Sequence, residues 1–149
     1  MKVRTSIVAV IAAAMLCVTG TVALALPAAA SPSGGTHTLK FIAVTTNTVV
    51  FSKTNTGRQD TDVNSKGKTV GFDSLNIVVN PKTGKGTILE SINASGGFMI
   101  AALPLYKRKT LTGIVTGGVG TFKGAFGSIV TTALNKAGTR TMVTITYHT

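Results

Sequence analysis

The sequence predicts an all-β domain of seven or eight strands, closed as an antiparallel up-and-down β-barrel behind an export signal. Three observations carry this. Apolar and polar residues alternate with period two, most clearly over residues 139–148, where Thr141, Val143, Ile145 and Tyr147 alternate with Arg140, Met142, Thr144, Thr146 and His148. Turn chemistry punctuates the runs. After residue 35 no stretch keeps a helical period over a useful length. Strands joined mainly by short turns fit a sandwich or a barrel. The short sequential hairpins favour the barrel, which also removes exposed strand edges.

The chain opens with an export signal. Lys2 and Arg4 precede an apolar run over residues 7–18, and small residues follow at Ala23-Leu24-Ala25 and Ala28-Ala29-Ala30. Thr19-Gly20-Thr21 interrupts the run, which is shorter than the roughly twenty residues of a membrane span. Cleavage before Ser31 divides the chain into a signal, 1–30, and a barrel domain, 31–149, destined for secretion. The sole cysteine, Cys17, lies in the signal and lacks a lipoprotein cleavage box, so thiol catalysis and cysteine-held metals are excluded from the domain.

Residues 31–35 are a Ser/Pro/Gly leader. Residues 36–46 form a first β-rich run, which 48–52 either continue or pair with. Residues 53–67, with Asn55, Gly57, Asp60, Asp62, Asn64 and Gly67, are the most polar part and read as a long loop. A strand over 69–80 sets Leu75, Ile77 and Val79 against Ser74, Asn76 and Val78, and Pro81-Lys82-Thr83-Gly84 turns it. Residues 87–94 return. Residues 98–106 follow, with Pro104 marking an edge, a bulge or a strand end. Residues 110–115 and 128–134 flank a glycine-rich stretch, 116–127, whose glycines fall where the backbone turns or another strand approaches. Asn135-Lys136-Ala137-Gly138 turns into the last strand.

Fifteen Lys and Arg against four Asp and Glu give a net charge of +11, or +9 without Lys2 and Arg4. Such a surface attracts anionic wall or membrane polymers, or simply keeps a β protein soluble and its edges unpaired. Scattered over separate loops, the lysines read as solvation. His37 and His148 have no ligand-spaced neighbours, so no metal site is expected. Lys123 is followed by Gly124 and precedes a strand, which excludes a phosphate loop. The absence of Trp argues against an RNA-binding sheet or sugar platform, and no cofactor is implied.

The run Gly117-Gly118-Val119-Gly120-Thr121-Phe122-Lys123-Gly124-Ala125-Phe126-Gly127, preceded by Leu111-Thr-Gly-Ile-Val-Thr and followed by Val143-Thr-Ile-Thr-Tyr147-His148, resembles the C-terminal half of the dirigent and allene oxide cyclase barrel superfamily. Gly67-Lys-Thr-Val-Gly71 is similar to its upstream part. The resemblance implies an eight-stranded barrel with an apolar central cavity, commonly trimeric, with Gly117, Gly118, Gly120, Gly124 and Gly127 as its structural motif. Dirigent proteins orient two phenoxy radicals; the cyclases steer ring closure of a fatty-acid epoxide. The family's pocket arginine between the last two glycines is replaced here by Phe126, which departs from dirigent handling of phenols.

The expected partner is therefore a small apolar or amphipathic molecule. The residues expected at its site are Glu90, Asp73, Asn76, Phe98, Phe126 and Tyr147. Glu90 shares a face with Ile88 and Ile92; inward, it is a carboxyl with a raised pKa suited to proton transfer, and outward, a lysine partner. Asp73 either polarises a ligand hydroxyl or caps a turn. Tyr147 is a core ring or a pocket hydroxyl. If an enzyme, the protein is an isomerase or cyclase.

Overall fold

The computed structural model describes residues 34–94 and 96–149; the export signal expected over residues 1–30 lies outside them. Eight strands follow one another: β1 (Thr36–Ser52), β2 (Asn55–Val63), β3 (Thr69–Val79), β4 (Gly86–Ala94), β5 (Gly97–Leu105), β6 (Thr110–Val119), β7 (Phe126–Ala133) and β8 (Arg140–His148). Each pairs antiparallel with the next, and β8 closes on β1 through a ladder running from Thr36↔His148 to Val44↔Arg140. The expected up-and-down barrel is the observed one.

Alternation sets the interior. Phe41, Leu75, Ile92, Met99, Leu103, Ile129, Val143 and Ile145 point inward and are buried. Each such side chain contributes about 1.5–3 kcal/mol on leaving water.

The two ends differ. At one, the 3₁₀ turn Gly120–Phe122 between β6 and β7 folds across the barrel, burying Phe122 against Tyr147 with ring centroids 5.7 Å apart, edge to face. Gly120 permits this: its φ is +64°, and a Cβ there would run into the Gly96 carbonyl. The glycine-rich stretch is thus half strand and half plug, since residues 116–119 extend β6. The other end receives the β1–β2, β3–β4, β5–β6 and β7–β8 connections and is open.

Several expectations need correcting. Residues 53–67 are not one long loop, because Asn55–Val63 is a full strand paired on both sides. Its inward residues are Arg58, Asp60 and Asp62, so hydrophobic alternation could not announce it. β1 is continuous, with an irregularity in register between Thr45 and Asn47. β5 runs through Pro104, which pairs with Thr87, but its ladder to β6 stops at Ala102, so the proline marks a local end of pairing.

Candidate functional site

All four acidic side chains of the chain lie inside the barrel: Asp60, Asp62, Asp73 and Glu90 are 1–3% exposed. Adjacent ladders stack them in rows. Arg58 lies opposite Leu75, which lies opposite Glu90; Asp60 opposite Asp73, then Ile92; Asp62 opposite Gly71, then Ala94. Side chains two residues apart on a strand share a face, so three neighbouring strands build one polar patch in an otherwise apolar wall.

Among the described residues, Asp60 alone of the four forms an ion pair. Arg58 donates from Nη2 to Asp60 Oδ2 at 2.7 Å and from Nη1 to the Gly138 carbonyl at 3.3 Å, reaching from β2 to the β7–β8 turn. Among the described residues, neither oxygen of Asp62 or of Asp73 has a hydrogen-bond partner. The groups that act on these carboxyls are mainly other carboxyls, so a proton held among them is the means of satisfying them.

The electrostatics agree. Burial, then the charge of Asp73, pushes Asp62 up to about 8. Burial, then the charge of Asp60, pushes Asp73 up to about 7, with Arg58 opposing. Glu90 is raised well above the usual range, first by burial and then by Asp73. Near neutrality the cluster therefore holds protons, which lets four carboxyls and one guanidinium occupy an apolar barrel.

A cavity of about 220 Å³ reaches this patch from the open end. Asp73 and Glu90 supply its buried polar groups and Arg58 a half-buried one, Leu75, Ile88 and Leu103 its apolar wall, and Arg108 and Lys109 stand at its mouth. A protonated Glu90 donates a hydrogen bond or proton; Asp73, titrating near neutrality, does either. Among the described residues no group of three or more His, Cys, Asp or Glu is placed to hold a metal ion.

Of the residues singled out from the sequence, Glu90 and Asp73 meet at the cavity. Tyr147 is buried at the plugged end, stacked on His37 at 5.3 Å, away from the cavity. Asn76, Phe98 and Phe126 take the outward parity of β3, β5 and β7 and do not line it; Phe126 is 47% exposed, beside His148. The replacement of the family arginine by Phe126 therefore places this ring outside the barrel. Sequence reasoning passed over Arg58, Asp60 and Asp62. The signal for them was their period-two spacing, together with all four acids falling between residues 60 and 90.

No protein-family model matches the sequence, and no curated protein matches it. Solved structures do share the fold. A pyocyanin demethylase is similar at a TM-score of 0.59 and 17% identity, over 74% of this chain and 99% of its own. A pterocarpan synthase dirigent protein gives 0.58 and 14%, over 77% and 89%. An exo-specific intermolecular Diels-Alderase gives 0.60 and 10%, over 78% and 100%. At these identities the likeness is one of architecture, and the chain is a dirigent-like eight-stranded barrel in fold.

Proposed function

We propose that this protein is an exported barrel that binds a small apolar or amphipathic molecule in its cavity and orients it, with Glu90 and Asp73 as the groups that exchange a proton with it. The observation that carries this reading is the buried Asp73–Glu90 pair at a cavity of about 220 Å³ with apolar walls. Carboxyls whose pKa is raised by burial and by neighbouring carboxyls serve as acid and base at ordinary pH. The apolar wall supplies orientation. The fold neighbours are named for a demethylase, a dirigent protein and a Diels-Alderase, so the fold does not choose the reaction.

Native mass spectrometry of the protein purified from culture medium tests the reading, the expected result being a co-purifying small molecule. Glu90→Gln then separates binding from proton transfer. Retained ligand with turnover lost supports catalysis; an unchanged Glu90→Gln protein sinks a role for Glu90. Absence of any bound small molecule and of uptake of amphipathic probes overturns the cavity reading.

A second reading concerns assembly. Leu89, Ala102 and Ile114 lie opposite one another across the outer face of β4, β5 and β6, and Leu89 and Ile114 are 53% and 58% exposed. An apolar row on a folded surface favours self-association, and a homo-oligomer, a trimer by resemblance, is proposed through this face.

A further inference from the structure

The barrel's topology sorts its charges in a way independent of the ligand reading. In an up-and-down barrel, alternate connections emerge at the same end. The four at the open end carry Lys53, then Lys82 and Lys85, then Lys107, Arg108 and Lys109, then Lys136, every one exposed. The connections at the plugged end carry only Lys66, Lys68 and Lys123. With all four acids enclosed, no Asp or Glu side chain is left outside to neutralise either set. Lysines that are dispersed along the sequence become a ring around the cavity mouth.

Apolar side chains stand in the same ring. β1 runs past the end of its ladder with β8, which stops at Val44↔Arg140, so its last residues pair with β2 alone and form a lip. On that lip Val50 is 70% and Phe51 64% exposed, next to Lys53. Tyr106 precedes Lys107, and Leu134 lies two residues before Lys136, both more than 40% exposed. A cleft of about 580 Å³ between the β5–β6 and β7–β8 connections is bounded by Tyr106, Leu134 and four cations, Lys107, Arg108, Lys109 and Lys136. Arg108 and Lys109 belong to the walls of both this cleft and the barrel cavity.

We propose that the open end of the barrel is a docking surface for an anionic phospholipid bilayer, with lipid phosphates held at the cationic ring and Val50 and Phe51 set into the headgroup boundary. Charge complementarity supplies the attraction, and with every Asp and Glu enclosed no acidic side chain on the barrel's sides opposes it. The apolar lip decides between a bilayer and a soluble polyanion: a polyanion offers nothing to exposed Val50 and Phe51, whereas the interface buries them. Docked in this way, the cavity mouth faces the membrane, and an amphipathic molecule passes between bilayer and barrel beside Arg108 and Lys109 without crossing bulk water.

The test is co-sedimentation of the full chain with phosphatidylcholine vesicles, with and without phosphatidylglycerol. Residues 1–33, with Lys2 and Arg4, are common to every variant, so their contribution cancels in the comparisons between variants. Binding to the anionic vesicles is expected to exceed binding to phosphatidylcholine alone and to fall at least about tenfold between low and high salt, as the Debye length shortens. The triple charge reversal Lys82→Glu, Lys107→Glu, Lys136→Glu is expected to weaken binding at least about tenfold, and Lys66→Glu, Lys68→Glu, Lys123→Glu at the plugged end by less than about twofold, since attraction acts within a Debye length of the surface. Val50→Ser with Phe51→Ser is expected to remove the salt-resistant part of binding. Equal losses from the two triple variants overturn the proposal in favour of net charge alone. Equal binding to polyphosphate and to vesicles, with the Val50→Ser, Phe51→Ser variant unchanged on both, overturns it in favour of a polymer.

Discussion

Asp60 and Asp73 lie directly opposite each other across the β2–β3 ladder, both inside the barrel, and only Asp60 has an ion-pair partner, Arg58 at 2.7 Å. Two carboxyls in one desolvated row cannot both ionise without a cation between them. Arg58 pairs with Asp60, while burial and the charge of Asp60 raise Asp73 to about 7.

Removing Arg58 should therefore be expensive. Arg58→Met strips the buried Asp60 of its partner while keeping much of the side-chain volume, and a loss of up to about 3 kcal/mol is expected, since the pair is enclosed on the Asp60 side and one-fifth exposed on the Arg58 side. Arg58→Met with Asp60→Asn should recover a substantial part of it, because no buried charge is then left alone. Urea unfolding of the two variants and the parent decides this.

Stability should fall as pH rises, opposite to ordinary acid denaturation. Asp62, Asp73 and Glu90 have raised pKa values in the folded barrel, so between the ordinary carboxyl range and about pH 8 the folded state binds more protons than the unfolded one. Their stabilising contribution is complete below the unfolded pKa, near 4, and is lost as pH climbs through the folded values. Each carboxyl contributes a slope of up to about 1.4 kcal/mol per pH unit. Denaturation midpoints at pH 5 should exceed those at pH 8, and Asp62→Asn with Asp73→Asn should flatten the difference; a midpoint that rises over this range contradicts the proton-holding cluster.

Phe122 is the plug. It is 3% exposed and meets Tyr147 edge to face. Phe122→Ala should cost about 3–5 kcal/mol and open the second end of the barrel. Thermal unfolding gives the first quantity. Hydrogen exchange confined to the ends of β6 and β8 gives the second.

Leu89→Lys with Ile114→Lys places two charges on the outer apolar row. If that face joins copies of the chain, sedimentation velocity should show the assembly dissociating to monomers whose barrel still melts cooperatively. An assembly unaffected by both lysines places the contact elsewhere.

Much of the architecture was legible in the chain. The alternation in 139–148, the Pro81 turn and the glycines before β7 marked strands and breaks that recur in the structure. The strand 55–63 was not legible, because Arg58, Asp60 and Asp62 occupy the positions where a local reading expects apolar residues. Local physics sends a carboxyl to water, since its solitary burial is costly. Asn76, Phe98 and Phe126 failed for a related reason: a ring or an amide suits a pocket in composition, but parity along the strand decided its side.

By itself, then, the sequence determined strand positions, turns and two faces per strand, since these follow from period two and local backbone preferences. Which face is enclosed was decided by closure. Only when β2, β3 and β4 bring Arg58 and four carboxyls together can protons and one cation be shared so that their burial is tolerable. The same closure gathered lysines from four separate connections to one end. Alternate turns of an antiparallel barrel share an end however far apart they lie along the chain.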